Sequence, residues 1–270
     1  MARSVYVVLG MHRAGTSALS RVVAVTGARL PANPLPANQD NPRGYFEPAR
    51  IAELNTRRLN AGGSAWDDVF AFPLQPLGEA VERRWRESAG AVFTDEFGIE
   101  GAPLLKDPRV TVLFPAWRQV FAELDLTPRC IVTVRHPLAV MASLARRDGF
   151  APHKSVLLWV SYMLAAAAYS RDLPSVCIDY EALLGDWRAQ LARIHAVHGL
   201  PEHPPSADAA ALVDAFLSTD LRHHVPAGDL AGLGWVGALA AEVYDWWLAA
   251  AAGRGRDPGE LRSAAEMLDA

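Results

Sequence analysis

The sequence predicts an α/β fold, a three-layer sandwich in which helices flank a central parallel sheet of four or five strands. Short apolar runs typical of buried strands alternate along the chain with longer segments typical of helices. Such alternation favours right-handed crossovers and a sheet that is covered on both faces. A glycine-bounded loop follows the first apolar run, and charged residues follow two later ones. Because ligands of parallel sheets bind beyond the carboxyl ends of the strands, a functional site is expected at that edge.

The strands are predicted from four apolar, partly β-branched runs, at 5–9, 104–105, 130–134 and 176–179. Helical segments are predicted between and after the strands, at 17–26, 51–59, 79–97, 114–124, 138–147, 154–170 and 181–198. Residues 30–47 are rich in Pro, Asn and Gly and are predicted to form a loop. At 270 residues the chain suits a single domain spanning 1–270, with a helical portion over about 200–270.

The composition excludes several classes of function. A net charge of −4 provides no basic field for nucleic acid. The uncharged stretch at 155–170 is shorter than a bilayer span, so no membrane-spanning segment is expected. Both cysteines, Cys130 and Cys177, lie inside apolar runs, which fits buried thiols in a reducing compartment. A cytoplasmic location is therefore predicted, and the oligomeric state is left open.

The loop between the first strand and the first helix has the features of an anion-binding site. Gly10 and Gly15 are separated by four residues and followed by Thr16 and Ser17, which matches the phosphate-cradling P-loop except that Thr16 replaces the lysine. Backbone N–H groups and the positive end of the helix dipole would attract an anion there. The binding residues are predicted to be His12, Arg13, Ala14, Gly15, Thr16 and Ser17. A generic strand-to-helix turn is the alternative interpretation.

Three cations are placed at strand ends. Arg13 follows the first strand, Lys106 the second and Arg135 the third, so all three are expected at one edge of the sheet. Of the 26 basic residues only Lys106 and Lys154 are lysine, which directs attention to Lys106. An ion pair with Asp107 or Glu96 is the alternative role for this lysine.

These motifs resemble those of sulfotransferases. The loop from His12 to Ser17 is similar to their 5′-phosphosulfate-binding loop, in which threonine or serine replaces the hydrolase lysine. Arg135 with Ser143, eight residues later, is similar to the pair that binds the 3′-phosphate. The resemblance implies 3′-phosphoadenosine 5′-phosphosulfate (PAPS) as the donor, 3′-phosphoadenosine 5′-phosphate (PAP) as the product, and no requirement for a metal.

A third segment adds to the resemblance. Lys106, Asp107 and Pro108 resemble the lysine-aspartate-proline segment of tyrosylprotein sulfotransferases, in which the lysine contacts the transferring sulfuryl group. Together with the loops at 41–47 and 66–68, the set is most similar to bacterial sulfotransferase-like proteins. It implies that Lys106, with Arg13, offsets charge on the oxygen that bridges sulfur and phosphorus.

Sulfuryl transfer also needs a base that accepts the acceptor's proton. Glu47 is the predicted base, and its alternative role is a charge at the N-terminus of the following helix. Asp107, Asp68 and His12 are the other candidates for the base. Arg222 is a candidate for binding the 3′-phosphate or the adenine.

The sequence thus predicts a PAPS-dependent sulfotransferase acting on a hydroxyl or amine of a small-molecule or carbohydrate acceptor. The sequence also allows two alternative functions. One is a P-loop kinase or hydrolase, although Thr16 in the place of the lysine disfavours it. The other is a non-catalytic nucleotide-binding module.

Overall fold

The computed structural model describes residues 3–38, 44–199, 205–217, 228–255 and 257–269. Its sheet has four parallel strands, β1 (Arg3–Leu9), β2 (Leu104–Lys106), β3 (Leu126–Val134) and β4 (Ser175–Asp179). Their order is β2-β1-β3-β4. The predicted α/β fold with a parallel sheet is confirmed.

Eleven α-helices are present in the described residues: α1 (Thr16–Ala24), α2 (Ala49–Ala61), α3 (Glu79–Phe97), α4 (Arg109–Glu123), α5 (Pro137–Asp148), α6 (Pro152–Ser170), α7 (Tyr180–Gly185), α8 (Trp187–His198), α9 (Ala207–Phe216), α10 (Gly234–Ala251) and α11 (Arg262–Asp269). Two 3₁₀ turns, Leu230–Leu233 and Pro258–Leu261, precede the last two helices. None of the helices in the described ranges is both long enough and apolar enough to cross a bilayer.

Strand β1 divides the interior into two cores. Side chains alternate between the two faces of a strand, and β1 is apolar on both. Val5, Val7 and Leu9 belong to the larger core, which includes residues of α4, α6 and α10. Tyr6 and Val8 belong to the other core, with residues of α1 and α8. Helices therefore cover both faces of the sheet, as a three-layer sandwich requires.

The register places the ends of the strands side by side. In the parallel ladders, Val8 lies opposite both Lys106 and Ile131, and Leu9 lies opposite Val132. The residues that follow β1, β2 and β3 consequently meet at the carboxyl edge of the sheet.

Two predicted helices differ from the structure by more than two residues or by a break. The segment 181–198, predicted as one helix, forms α7 and α8, and the break lies at Asp186, whose carboxylate accepts the Ala189 amide and caps α8. Helix α4 begins at Arg109 rather than Phe114, because Asp107 accepts the Arg109 amide at its start.

The segment before α2 is a loop, as predicted, in its described parts. It folds back on itself: the Leu35 amide donates to the Glu47 carbonyl at 2.7 Å, and the Ala49 amide donates to the Asn33 carbonyl at 2.9 Å. These bonds fix the position of Glu47 directly before α2.

Candidate active site

The predicted anion-binding loop lies between β1 and α1. Helix α1 begins at Thr16, so its first amides and the positive end of its dipole face this loop. Gly15 immediately precedes the helix with φ 91°, and a Cβ atom there would lie 2.1 Å from the Tyr180 ring. Only glycine fits this position, because the backbone is left-handed and an aromatic ring fills the space beside it.

Two buried threonines hold the ends of the loop. Thr111 Oγ1 accepts the Gly10 N–H at 2.9 Å and donates to the Gly10 carbonyl at 3.1 Å. Thr133 Oγ1 donates to the Ala14 carbonyl at 3.1 Å. Sequence reasoning missed both residues. Thr133 carried a signal, because it is the single polar residue of the apolar run 130–134, where a buried hydroxyl needs a partner.

Replacing Thr111 with valine should lower the free energy of unfolding by about 1–3 kcal/mol. The side chain keeps its shape, but the N–H and C=O of Gly10 lose their buried partner. Thr111→Ser retains the hydroxyl and should recover most of the loss. Urea unfolding of the three proteins tests this, and equal stability of the valine and serine variants would contradict the proposed anchoring by the hydroxyl.

Two guanidinium groups converge on the loop. Arg13 has φ 66°, and its Nε donates to Ser143 Oγ at 2.8 Å. Arg135 donates from a terminal nitrogen to the Arg13 carbonyl at 3.0 Å and lies 4.4 Å above the centre of the Tyr180 ring. Sequence reasoning paired Ser143 with Arg135, whereas its hydrogen bond here is to Arg13, so all three residues form one connected group.

Lys106 and Glu47 form a buried ion pair beside the loop. Lys106 Nζ donates to Glu47 Oε1 at 2.5 Å, to the Tyr45 carbonyl at 2.8 Å and to Ser17 Oγ at 3.2 Å. The exposed fractions of the two side chains are only 2% for Lys106 and 7% for Glu47. The lysine thus joins the residues before α2 to the start of α1, and the two predicted catalytic groups contact each other directly.

The other two carboxylates considered as bases have structural partners. Asp107 is fully buried and accepts from Asn55 Nδ2 at 2.8 Å and from the amide and guanidinium of Arg109. Asp68 accepts from Ser64 Oγ at 2.8 Å and from the Phe70 amide at 3.0 Å. Each therefore stabilises the turn in which it lies.

His12 is buried between aromatic rings. Its ring centre lies 4.6 Å from that of Trp66 and 5.8 Å from that of Tyr162. Burial holds the pKa of His12 well below its usual value, and the nearby cations, with Arg109 first among them, lower the pKa further. The imidazole is therefore neutral near pH 7, and its Nε2 has no hydrogen-bond partner among the described residues.

Part of the predicted site lies outside the residues that the structure describes. Arg222 and the loop residues 41–43 lie outside the described residues. Within the described ranges, no three His, Cys, Asp or Glu side chains are grouped so as to hold a metal ion.

Comparison with known proteins bears on the fold. No family model matches the chain, and no curated protein matches it. Among solved structures, a sulfotransferase domain from the curacin biosynthetic pathway is 14% identical with a TM-score of 0.52, covering 88% of this chain and 96% of that domain. A sulfotransferase domain from the Synechococcus PCC 7002 olefin synthase is 17% identical with a TM-score of 0.49, covering 91% of this chain and 96% of that domain. From the first of these likenesses, the chain has the P-loop-like α/β fold of a sulfotransferase domain.

Proposed function

We propose that the chain is a sulfotransferase that moves a sulfuryl group from PAPS to a hydroxyl or amine of a small-molecule or carbohydrate acceptor. The observation that carries this proposal is the convergence of Arg13 and Arg135 on a glycine-bounded loop at the start of α1. Guanidinium groups and a helix N-terminus together form a site for phosphate and sulfate oxygens. The fold likeness to a sulfotransferase domain supports the same function.

The residues around the loop fit the proposed donor. Residues 12–17 would hold the phosphosulfate end, with Arg135 and Ser143 toward the 3′-phosphate. Arg135 Nε is buried and has no hydrogen-bond partner in the described part of the chain, so an anionic oxygen would satisfy it. The Ser143 hydroxyl accepts its bond from Arg13, which leaves its proton for a phosphate oxygen. Arg222 is a further candidate for binding the 3′-phosphate or the adenine.

The Lys106–Glu47 pair suggests how proton and charge movement are coupled. The donor supplies a sulfuryl group attached to a phosphate leaving group. As the acceptor oxygen or nitrogen bonds to sulfur and the S–O bond to phosphate breaks, Glu47 accepts the acceptor's proton. Protonation removes the negative charge that holds Lys106. The ammonium group, together with Arg13, is then available to offset charge on the departing oxygen.

A P-loop kinase or hydrolase is the main competing function. Thr16 occupies the position at which such enzymes carry the lysine that contacts the β- and γ-phosphates. We therefore expect PAP to bind more tightly than ATP with magnesium. The single domain over 1–270 and the cytoplasmic location remain predictions of the sequence.

Arg135→Ala should weaken PAP binding about tenfold or more, the loss expected for one charge-assisted hydrogen bond. Calorimetric titration with PAP, and in parallel with ATP and magnesium, measures this. Arg57→Ala is the matched control, because that guanidinium is on α2, is 68% exposed and is paired with Glu53. Preference for ATP, or equal PAP affinity of wild type and Arg135→Ala, would overturn the proposed function.

A further inference from the structure

His12 occupies an unusual position for a histidine, inside the loop proposed to bind the donor. We propose that His12 is a conditional cation of this loop, uncharged in the free protein and protonated when the anionic donor binds. The inference rests on the proposed function and extends it, because it assigns to one loop residue a charge that depends on occupancy of the site.

The surroundings of the ring isolate its free nitrogen from bulk water. His12 is 7% exposed, with Trp66 and Tyr162 against the imidazole. The Tyr162 hydroxyl is not the partner of Nε2, because it donates to the Trp66 carbonyl at 2.8 Å. A buried nitrogen without a partner costs free energy, and a bound anion would pair with it once it carries a proton.

Cations from four elements lie near enough to the ring to lower the pKa of His12. Arg13 lies in the loop itself, Lys106 in β2, Arg109 in α4 and Arg147 in α5. The carboxylates nearby already face other cations: Glu47 pairs with Lys106, Asp107 with Arg109, Asp148 with Arg147, and Asp67, beside Trp66, with Lys154. Tyr162 of α6 adds no negative charge beside His12, because burial raises the pKa of its hydroxyl. In the free protein, cationic surroundings and burial thus both keep His12 neutral.

A bound anionic donor changes the electrostatic effect of these cations on the pKa of His12. Its negative charges lie beside the same cations and offset their effect, so the pKa of His12 rises in the complex. Donor binding then takes up a proton. By linkage, affinity increases as pH falls between the pKa of the complex and the lower pKa of the free protein, by at most about tenfold per pH unit for one proton.

Calorimetry of PAP binding tests this with a readout other than activity. Titrations between pH 5.5 and 7.5, each in two buffers of different ionisation enthalpy, give the number of protons taken up. His12→Gln keeps a polar group near the Nε2 position but does not titrate. His195→Gln is the matched control, because it removes a histidine from α8, which contacts the other core of the sheet.

Wild type and His195→Gln are expected to take up more protons than His12→Gln, by a difference that grows toward one proton as pH falls. Titration of the phosphates of PAP is common to all three proteins and cancels in this difference. Equal uptake by wild type and His12→Gln, with PAP bound by both, would overturn the inference and leave the sulfotransferase proposal intact. Failure of the wild type to bind PAP would overturn the proposed function itself.

Discussion

Lys106→Met is expected to lower the free energy of unfolding by about 3–5 kcal/mol, the cost of leaving one partner of a buried ion pair without the other. The methionine replaces the aliphatic stem, but Glu47 remains buried without its ion-pair partner. The Tyr45 carbonyl and Ser17 hydroxyl also lose a donor. Unfolding in urea, monitored by circular dichroism, measures the loss.

The chain contains its own control for this experiment. Lys154, the one other lysine, pairs with Asp67 at 2.7 Å, and the exposed fractions of these side chains are 39% and 30%. Lys154→Met should cost less than about 1 kcal/mol, since solvent screens a partly exposed pair. The double variant Lys106→Met/Glu47→Gln should be more stable than Lys106→Met alone. A loss at Lys106 no larger than that at Lys154 would show that burial of the Lys106–Glu47 pair has no energetic consequence.

Gly15→Ala should produce the second large effect, a loss of about 2–5 kcal/mol in unfolding free energy, combining backbone strain with overpacking. The new methyl group would meet Tyr180 Cδ2 at 2.1 Å and Cε2 at 2.5 Å. Tyr180 is 4% exposed and therefore has little room to move, and the Arg135 guanidinium lies on its ring. The substitution is thus expected to displace Arg135 and to weaken PAP binding as well.

Gly149→Ala separates the two contributions. Gly149 ends α5 with φ 68°, and an added Cβ there has no neighbour within 4 Å. This variant should lose only the backbone part, about 1–2 kcal/mol, and should bind PAP like the wild type. If Gly15→Ala were no less stable than Gly149→Ala, the contact between the loop and Tyr180 would be unimportant.

Sequence patterns predicted the parts of the structure that depend on periodicity and chain order. The strand-helix alternation was enough to predict the fold class. The order of the strand ends was enough to expect three cations at one edge of the sheet, and the structure places Arg13 after β1, Lys106 at the end of β2 and Arg135 after β3. Asp107 was considered as a base, whereas its contacts are with Asn55 of α2 and Arg109 of α4. The contact with Asn55 joins residues 52 positions apart in the chain, so no periodic signal in the sequence reveals it.

Side-chain direction was the main element beyond the reach of the sequence. Ser143 lies within hydrogen-bond distance of Arg13, because the left-handed backbone at Arg13 turns its long side chain toward α5. The break between α7 and α8 depends on a single capping carboxylate, Asp186, inside a segment that is otherwise a good helix former. Spacing alone does not distinguish a cap from an exposed charge on a helix face.

The scarcity of lysine gives the burial of Lys106 a practical consequence for chemical labelling. An amine-directed acylating reagent finds only two side-chain targets in the chain, one 39% exposed and the other 2% exposed. Lys154 reacts from the folded state, whereas Lys106 reacts only after the backbone around Tyr45 and Glu47 lifts from β2. The ratio of the two acylation rates, followed by peptide mass spectrometry, therefore measures how often this side of the site opens.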